Sequence, residues 1–71
     1  MKIKINTPYI KLDSLLKLAG IVVTGGQAKE LINKNQVTVN KDLCTMRGKK
    51  IKPGDIIKIK GKKESLEVIL E

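Results

Sequence analysis

Tyr9 is the only aromatic residue and Cys44 the only cysteine, so any fold of this sequence must be held by Ile, Leu and Val. The 71 residues are expected to make a single domain, residues 1–71, with no room for a second. A chain this short buries a modest share of its surface and is marginally stable unless that aliphatic core is dense. One thiol cannot build a disulfide framework within the chain, and it suits a reducing compartment. No apolar run approaches the roughly 18–20 residues of a membrane-spanning helix. The start "MKIKINTPYIKLD" lacks the apolar stretch of a secretory leader. The expected setting is cytoplasmic.

The aliphatic residues fall into periodic groups. "KIKINT" alternates Lys2, Ile3, Lys4 and Ile5, the pattern of a half-buried strand. Thr7-Pro8 reads as a turn or helix entry. "LDSLLKLAG" sets Leu12, Leu15, Leu16 and Ala19 on one helical stripe and ends at Gly20, a natural C-terminal stop. "AKELINKNQ" repeats the scheme with Ala28, Leu31 and Ile32 inward. "VTVN" is a short strand with Asn40-Lys41-Asp42 as its turn, and "KPGD" fits a type II turn with Pro53 and Gly54 at its centre. "IIKIKG" and "SLEVIL" close the chain as strands. The expected architecture is α+β: two short packed helices beside a small, mostly antiparallel, twisted sheet.

Charge is the strongest global signal, with 15 Lys+Arg against 7 Asp+Glu and a net charge of +8. Between Lys41 and Lys63 lie nine basic residues and only two acids, Asp42 and Asp55. Such a block is the usual footprint of a polyanion binder, although a solvated lysine-rich surface gives the same count.

Between the two helical stripes stands "IVVTGGQAKELI". Glycine is roughly 0.8–1 kcal/mol worse than alanine in a helix, yet two of them stand where a helix should begin. Thr24-Gly25-Gly26-Gln27 fits a capping box, in which the Thr24 hydroxyl and the Gln27 side chain each satisfy the other residue's backbone N–H. Gly25 and Gly26 are then the first two helical positions, whose N–H groups have no partner inside the helix. Bare amides without Cβ atoms let an anion such as a phosphate come close. Paired glycines also suit a tight turn or close packing of this helix on the first. A nucleotide-binding P-loop fits less well, because its Gly-Lys-Ser/Thr ending is absent. Lys11 and Lys17 on the first helix, Lys29 one turn into the second, and Arg47, Lys49 and Lys50 in "MRGKKIKPGD" could face the same groove. Arg47 can fork two bonds to a phosphate, whereas lysines act as mobile point charges.

"KLDSLLKLAGIVVTGGQAKELINKNQVTVN" followed by "RGKKIKPGDIIKI" resembles the S-four RNA-binding domain, and within it the short free-standing members of the YaaA type. The likeness runs from about Tyr9 to Ile59. It implies the αL motif, two packed helices and a small sheet that bind structured RNA, here ribosomal RNA or ribosome assembly intermediates. Carried over residue by residue, it implies a surface of Lys11, Thr24, Gly25, Gly26, Gln27, Lys29, Asn40, Lys41, Arg47, Lys49 and Lys50. Many larger members place an arginine directly after the Ser/Thr at the second helix start, where this chain has Gly25. Backbone amides would then do there what an arginine does elsewhere.

Other classes fit less well. One tyrosine cannot build the stacking platform of single-strand binders, which leaves phosphates, 2′-hydroxyls and shape as the recognised features. With no His, Cys44 lacks a base to activate it as a nucleophile, so no catalytic residue and no enzyme activity are expected. One Cys and no His fall short of a zinc site. No metal, cofactor, small-molecule substrate or membrane partner is expected, and a monomer is. The alternative is a protein–protein adaptor that docks an acidic partner on its basic face, with "KIKIN" and "SLEVILE" as pairing edges.

Overall fold

The alternation at the N terminus becomes β1, Lys2–Ile5, which buries Ile3 and Ile5 and leaves Lys2 and Lys4 in water. The computed structural model describes residues 1–71. After Thr7-Pro8, which form a bend, a two-residue strand β2 (Ile10–Lys11) leads directly into helix α1 (Leu12–Leu18). The expected stripe faces inward: Leu12, Leu15 and Leu16 are fully buried and Ala19 half-buried. Gly20 ends the helix in the left-handed region at φ 76°, a conformation that costs glycine little. Helix α2 (Gly25–Asn33) buries Ala28 and Ile32, with Leu31 partly covered.

The remaining strands are β3 (Val37–Val39), β4 (Asp42–Leu43), β5 (Lys50–Ile51), β6 (Ile56–Ile59) and β7 (Ser65–Leu70). Five of them form one sheet in the order β1-β7-β6-β3-β4. Its pairs are antiparallel except β1 with β7, which run parallel with Ile3 opposite Val68. Strands β2 and β5 form a separate antiparallel pair. "SLEVIL" is therefore an interior strand; the free edges of the large sheet are β1 and β4.

Strands β3 and β4 join through a two-residue turn, Asn40-Lys41, with both residues at positive φ (52° and 75°). That is the hairpin geometry whose twist matches the flanking strands, and it moves Asp42 from the expected turn into β4. Lys52–Asp55 closes as expected: Asp55 N–H donates to Lys52 O at 3.0 Å, and Gly54 sits at φ 97°. Every buried residue is apolar. Ile3, Ile5, Val37, Val39, Ile57, Ile59, Leu66 and Val68 of the sheet pack with the three leucines of α1, Ala28 and Ile32 of α2, Ile51 and Cys44. Cys44 is thus a small filler of the core.

Candidate nucleic-acid interface

Helix α1 has no side-chain cap. Its first two N–H groups are taken instead by main-chain carbonyls of the basic segment, Leu12 N–H by Lys49 O at 2.9 Å and Asp13 N–H by Arg47 O at 3.0 Å. These bonds fix the Arg47–Lys50 loop against the helix start. The β2–β5 ladder then sets Lys11 directly opposite Lys50. Like charges facing each other across a ladder are destabilising. The Lys50 ammonium lies 4.9 Å from the centre of the Tyr9 ring, a contact worth about 0.5–1 kcal/mol at an exposed site.

The other flank of this loop is held by Asn40 and Asp55. Asn40 Nδ2 donates to Asp55 Oδ1 at 2.9 Å, Ile56 N–H to Asn40 Oδ1 at 2.9 Å, and Lys52 N–H to Asp55 Oδ2 at 2.8 Å. Two turns distant in sequence are clamped together. Partial burial alone would raise the Asp55 pKa; bonds from the Lys52 N–H and Asn40 and the charges of Lys49 and Lys52 outweigh it and hold the carboxyl below its ordinary value. Between the β3–β4 hairpin and this segment runs a cleft of about 420 Å³ lined by Lys49, Lys50 and Lys52 together with Asp42 and Asp55.

At α2 the capping box is complete. Gln27 N–H donates to Thr24 Oγ1 at 3.1 Å, and Gln27 Oε1 accepts from the N–H groups of Val23 (2.8 Å) and Thr24 (3.4 Å). The N–H groups of Gly25 and Gly26 donate to nothing in the protein. Neither glycine is at positive φ, and a Cβ on Gly25 would meet no atom within 4 Å, one on Gly26 only Thr24 Oγ1 at 3.8 Å. A tight turn and close packing on α1 are therefore both excluded as reasons for the pair. Lys29 stands four and three residues after them, on the same helix face, with its Cα–Cβ bond tilted back toward the helix start. Val23, just before the cap, is 84% exposed.

Only Lys34 among the basic side chains is in an ion pair, with Glu30 at 2.7 Å. The Lys34 hydrogen bond and charge lower the Glu30 pKa. All other lysines and Arg47 lack a carboxylate partner.

A sequence model of the S4, or S-four, domain matches residues 3–69. The chain belongs to the S4 domain family. It is 39% identical over 59 residues to the probable ribosome maturation protein RlbA of Bacillus subtilis (strain 168), covering 83% of each chain. It is similar too to the small ribosomal subunit protein uS4 of Wolbachia sp. subsp. Drosophila simulans (strain wRi), at 39% identity over 61 residues, and of Hyphomonas neptunium (strain ATCC 15444), at 33% over 61 residues. These matches cover 86% of the chain and 30% of each uS4 protein. The resemblance carried by the motifs thus holds.

Within this S4 domain the structure gathers Lys11, Arg47, Lys49 and Lys50 at the start of α1. Asn40 joins them from the far side of the cleft, its side chain bonded to Asp55 and Ile56. Lys41 occupies the exposed hairpin tip. Thr24, Gly25, Gly26, Gln27 and Lys29 form the separate start of α2. Lys17 lies in the last turn of α1, away from the Arg47–Lys50 loop, where its charge complements the helix C terminus. Sequence reasoning passed over Lys52 in the cleft and the Tyr9–Lys50 stack; the strand alternation around "KKIK" was the available signal for the first. No helix is long and apolar enough to cross a membrane.

Proposed function

We propose that this S4 domain is a non-catalytic RNA-binding protein that docks its two helix starts and the Arg47–Lys50 loop onto structured RNA. The observation that carries this is the pair of unoccupied N–H groups at Gly25 and Gly26, which neither backbone geometry nor packing requires to be glycine. Phosphate oxygens would bond those amides, with Lys29 beside them, while Lys11, Arg47, Lys49 and Lys50 neutralise neighbouring phosphates. Lys17 and Lys41 extend the positive field, Thr24 and Gln27 hold the helix start, and Asn40 sets the loop. The names of the relatives, a ribosome maturation protein and a ribosomal subunit protein, support ribosomal RNA or an assembling ribosomal particle as the partner. The chain acts in the cytoplasm as a monomer, without a cofactor.

The free edge of β1 favours a second reading, an adaptor that pairs with an acidic strand. Lysines on an edge strand also serve to keep it from pairing, and β1 carries Lys2 and Lys4. The RNA reading therefore stands first. A salt titration against a folded ribosomal RNA fragment, an unstructured RNA of equal length and a DNA duplex tests it. Neutralising about 4–6 phosphates gives a slope of log K against log[salt] of roughly −3 to −5. The folded RNA should bind with that slope and tightest of the three; equal weak binding to all would overturn the reading.

A further inference from the structure

The basic residues between Lys41 and Lys63 form one block in the sequence but two in the fold. Arg47, Lys49, Lys50 and Lys52 gather beside the start of α1. Lys58, Lys60 and Lys62 line a different cleft, of about 320 Å³ just past the C-terminal end of α2, with Asn35, Gln36 and Thr38; Lys58 also borders Asn40 and Lys41, and Lys60 and Lys62 also border Gln27. Helix α2 has nine residues, so the Gly25 end and this end are separated by about 13 Å of helix.

The cleft has no carboxylate in its lining. In the sheet, Lys58 lies between Thr38 and Ser65, so its neighbours are hydroxyls, whereas Lys2 one strand further on faces Glu67. Lys60 continues the same strand face at the next alternate position. Its N–H donates to Gln36 O at 2.8 Å, which fastens this strand end to the end of α2. Lys62 N–H donates to Ile59 O at 3.0 Å across a turn with Gly61 at φ 86°. The main chain thus fixes where all three side chains start. Three carboxylates lie in the neighbourhood, none in an ion pair with these lysines: Glu30 is bound to Lys34 and shares an adjoining cleft with Lys60 and Lys62, Glu64 shares a third with Lys62 and Lys63, and Glu67, diagonal to Lys58 in the sheet, lies opposite Lys2.

Three unpaired lysines held around amide and hydroxyl groups repel one another unless an anion lies between them. A protein partner would need an apolar anchor at the centre of its contact. Here the only apolar residue in the lining is Ile59, which is buried in the core. Amides and a hydroxyl beside lysines suit phosphate and 2′-hydroxyl groups instead. We propose that this cleft holds the backbone of a second RNA segment, so that the domain ties two segments together, one at the helix starts and one beyond the C-terminal end of α2. This rests on the RNA-binding reading above.

The test is an NMR titration of the full 15N-labelled chain with a short RNA hairpin, followed to excess. The expected result is two sets of shifting amides, one over Gly25–Lys29 and Arg47–Lys50, the other over Asn35–Thr38 and Lys58–Lys62. The second set should saturate only beyond one hairpin per protein, and K58Q/K60Q/K62Q should abolish it while leaving the first. Because the three lysines are exposed, the variant's own spectrum verifies that it folds. Shifts in the first set alone would overturn the second site and leave the RNA reading intact. Both sets moving together at one hairpin per protein would also overturn it, since a single RNA would then wrap one surface. No shifts in either set would bring down the RNA reading itself.

Discussion

The two helices begin in opposite ways. At α1 the protein fills its own helix start: Leu12 and Asp13 N–H groups donate to Lys49 and Arg47 carbonyls, and Ser14 N–H to Asp13 Oδ1. At α2 a self-contained capping box satisfies Val23, Thr24 and Gln27, and the two glycine amides between are left without a partner. The same feature, a helix N terminus rich in unpaired donors, is used once to anchor a basic loop and once left vacant beside Lys29. Under the proposed RNA reading one helix start positions a binding loop and the other meets the ligand itself, and the contrast can be attacked from either side.

The largest expected effect is on the loop anchored at α1. R47A/K49A/K50A should weaken binding to folded RNA on the order of a hundredfold at low salt and flatten the salt slope by about three. Melting should fall by no more than a few degrees, from the lost Tyr9–Lys50 contact, because the α1 start is satisfied by backbone carbonyls that alanine retains. A variant that melted early but bound normally would make the loop purely structural.

The next effect falls on the clamp behind that loop. Asp55→Ala removes the acceptors of the Lys52 and Asn40 bonds and should cost about 1–2 kcal/mol, roughly 5–15 °C in Tm. The Asp55 carboxyl lies below its ordinary value when folded. It therefore adds stability above the unfolded value of about 3.9 and loses it as pH falls through the folded one. Wild type should lose more stability than Asp55→Ala on acidification below about pH 4, measured by urea melts across pH. A smaller effect belongs to the α2 cap. Thr24→Ala should cost about 1 kcal/mol, because Gln27 N–H loses its acceptor. Calorimetry would check it, and an unchanged Tm would show that the box does not hold the helix start.

What the sequence made legible was local. The Lys–Ile alternation, the Leu12/Leu15/Leu16 stripe, the Thr24–Gln27 box and the Lys52–Asp55 turn each carry their signal within a few residues, and each stands in the fold as expected. Strands β2 and β5 escaped because two residues have no period. The parallel β1–β7 pairing joins the two ends of the chain, so no local pattern announces it. The turn after Val39 is one residue shorter than expected because Asn40 and Lys41 both adopt the left-handed conformation without being glycine. The Asn40–Asp55 clamp spans 15 residues, and only the fold shows why the two occur together. For the same reason the basic block looked continuous until the turn after Ile51 and strand β6 carried half of it to the far end of α2.

The most direct test acts on Gly25 alone. It is the first residue of α2, and Thr24 before it has φ −124° and ψ 161°, the extended conformation a residue before proline requires. Gly25→Pro therefore deletes one open N–H while keeping the helix, and Gly25→Ala adds a methyl in open space while keeping the N–H. Neither should lower Tm, and each adds up to about 1 kcal/mol of stability. If the open amides hold phosphate, Gly25→Pro should bind folded RNA about tenfold more weakly than wild type, with Gly25→Ala between the two. Gly25→Pro that binds as tightly as wild type at the same salt would contradict the account, leaving the vacant helix start with no part in recognition.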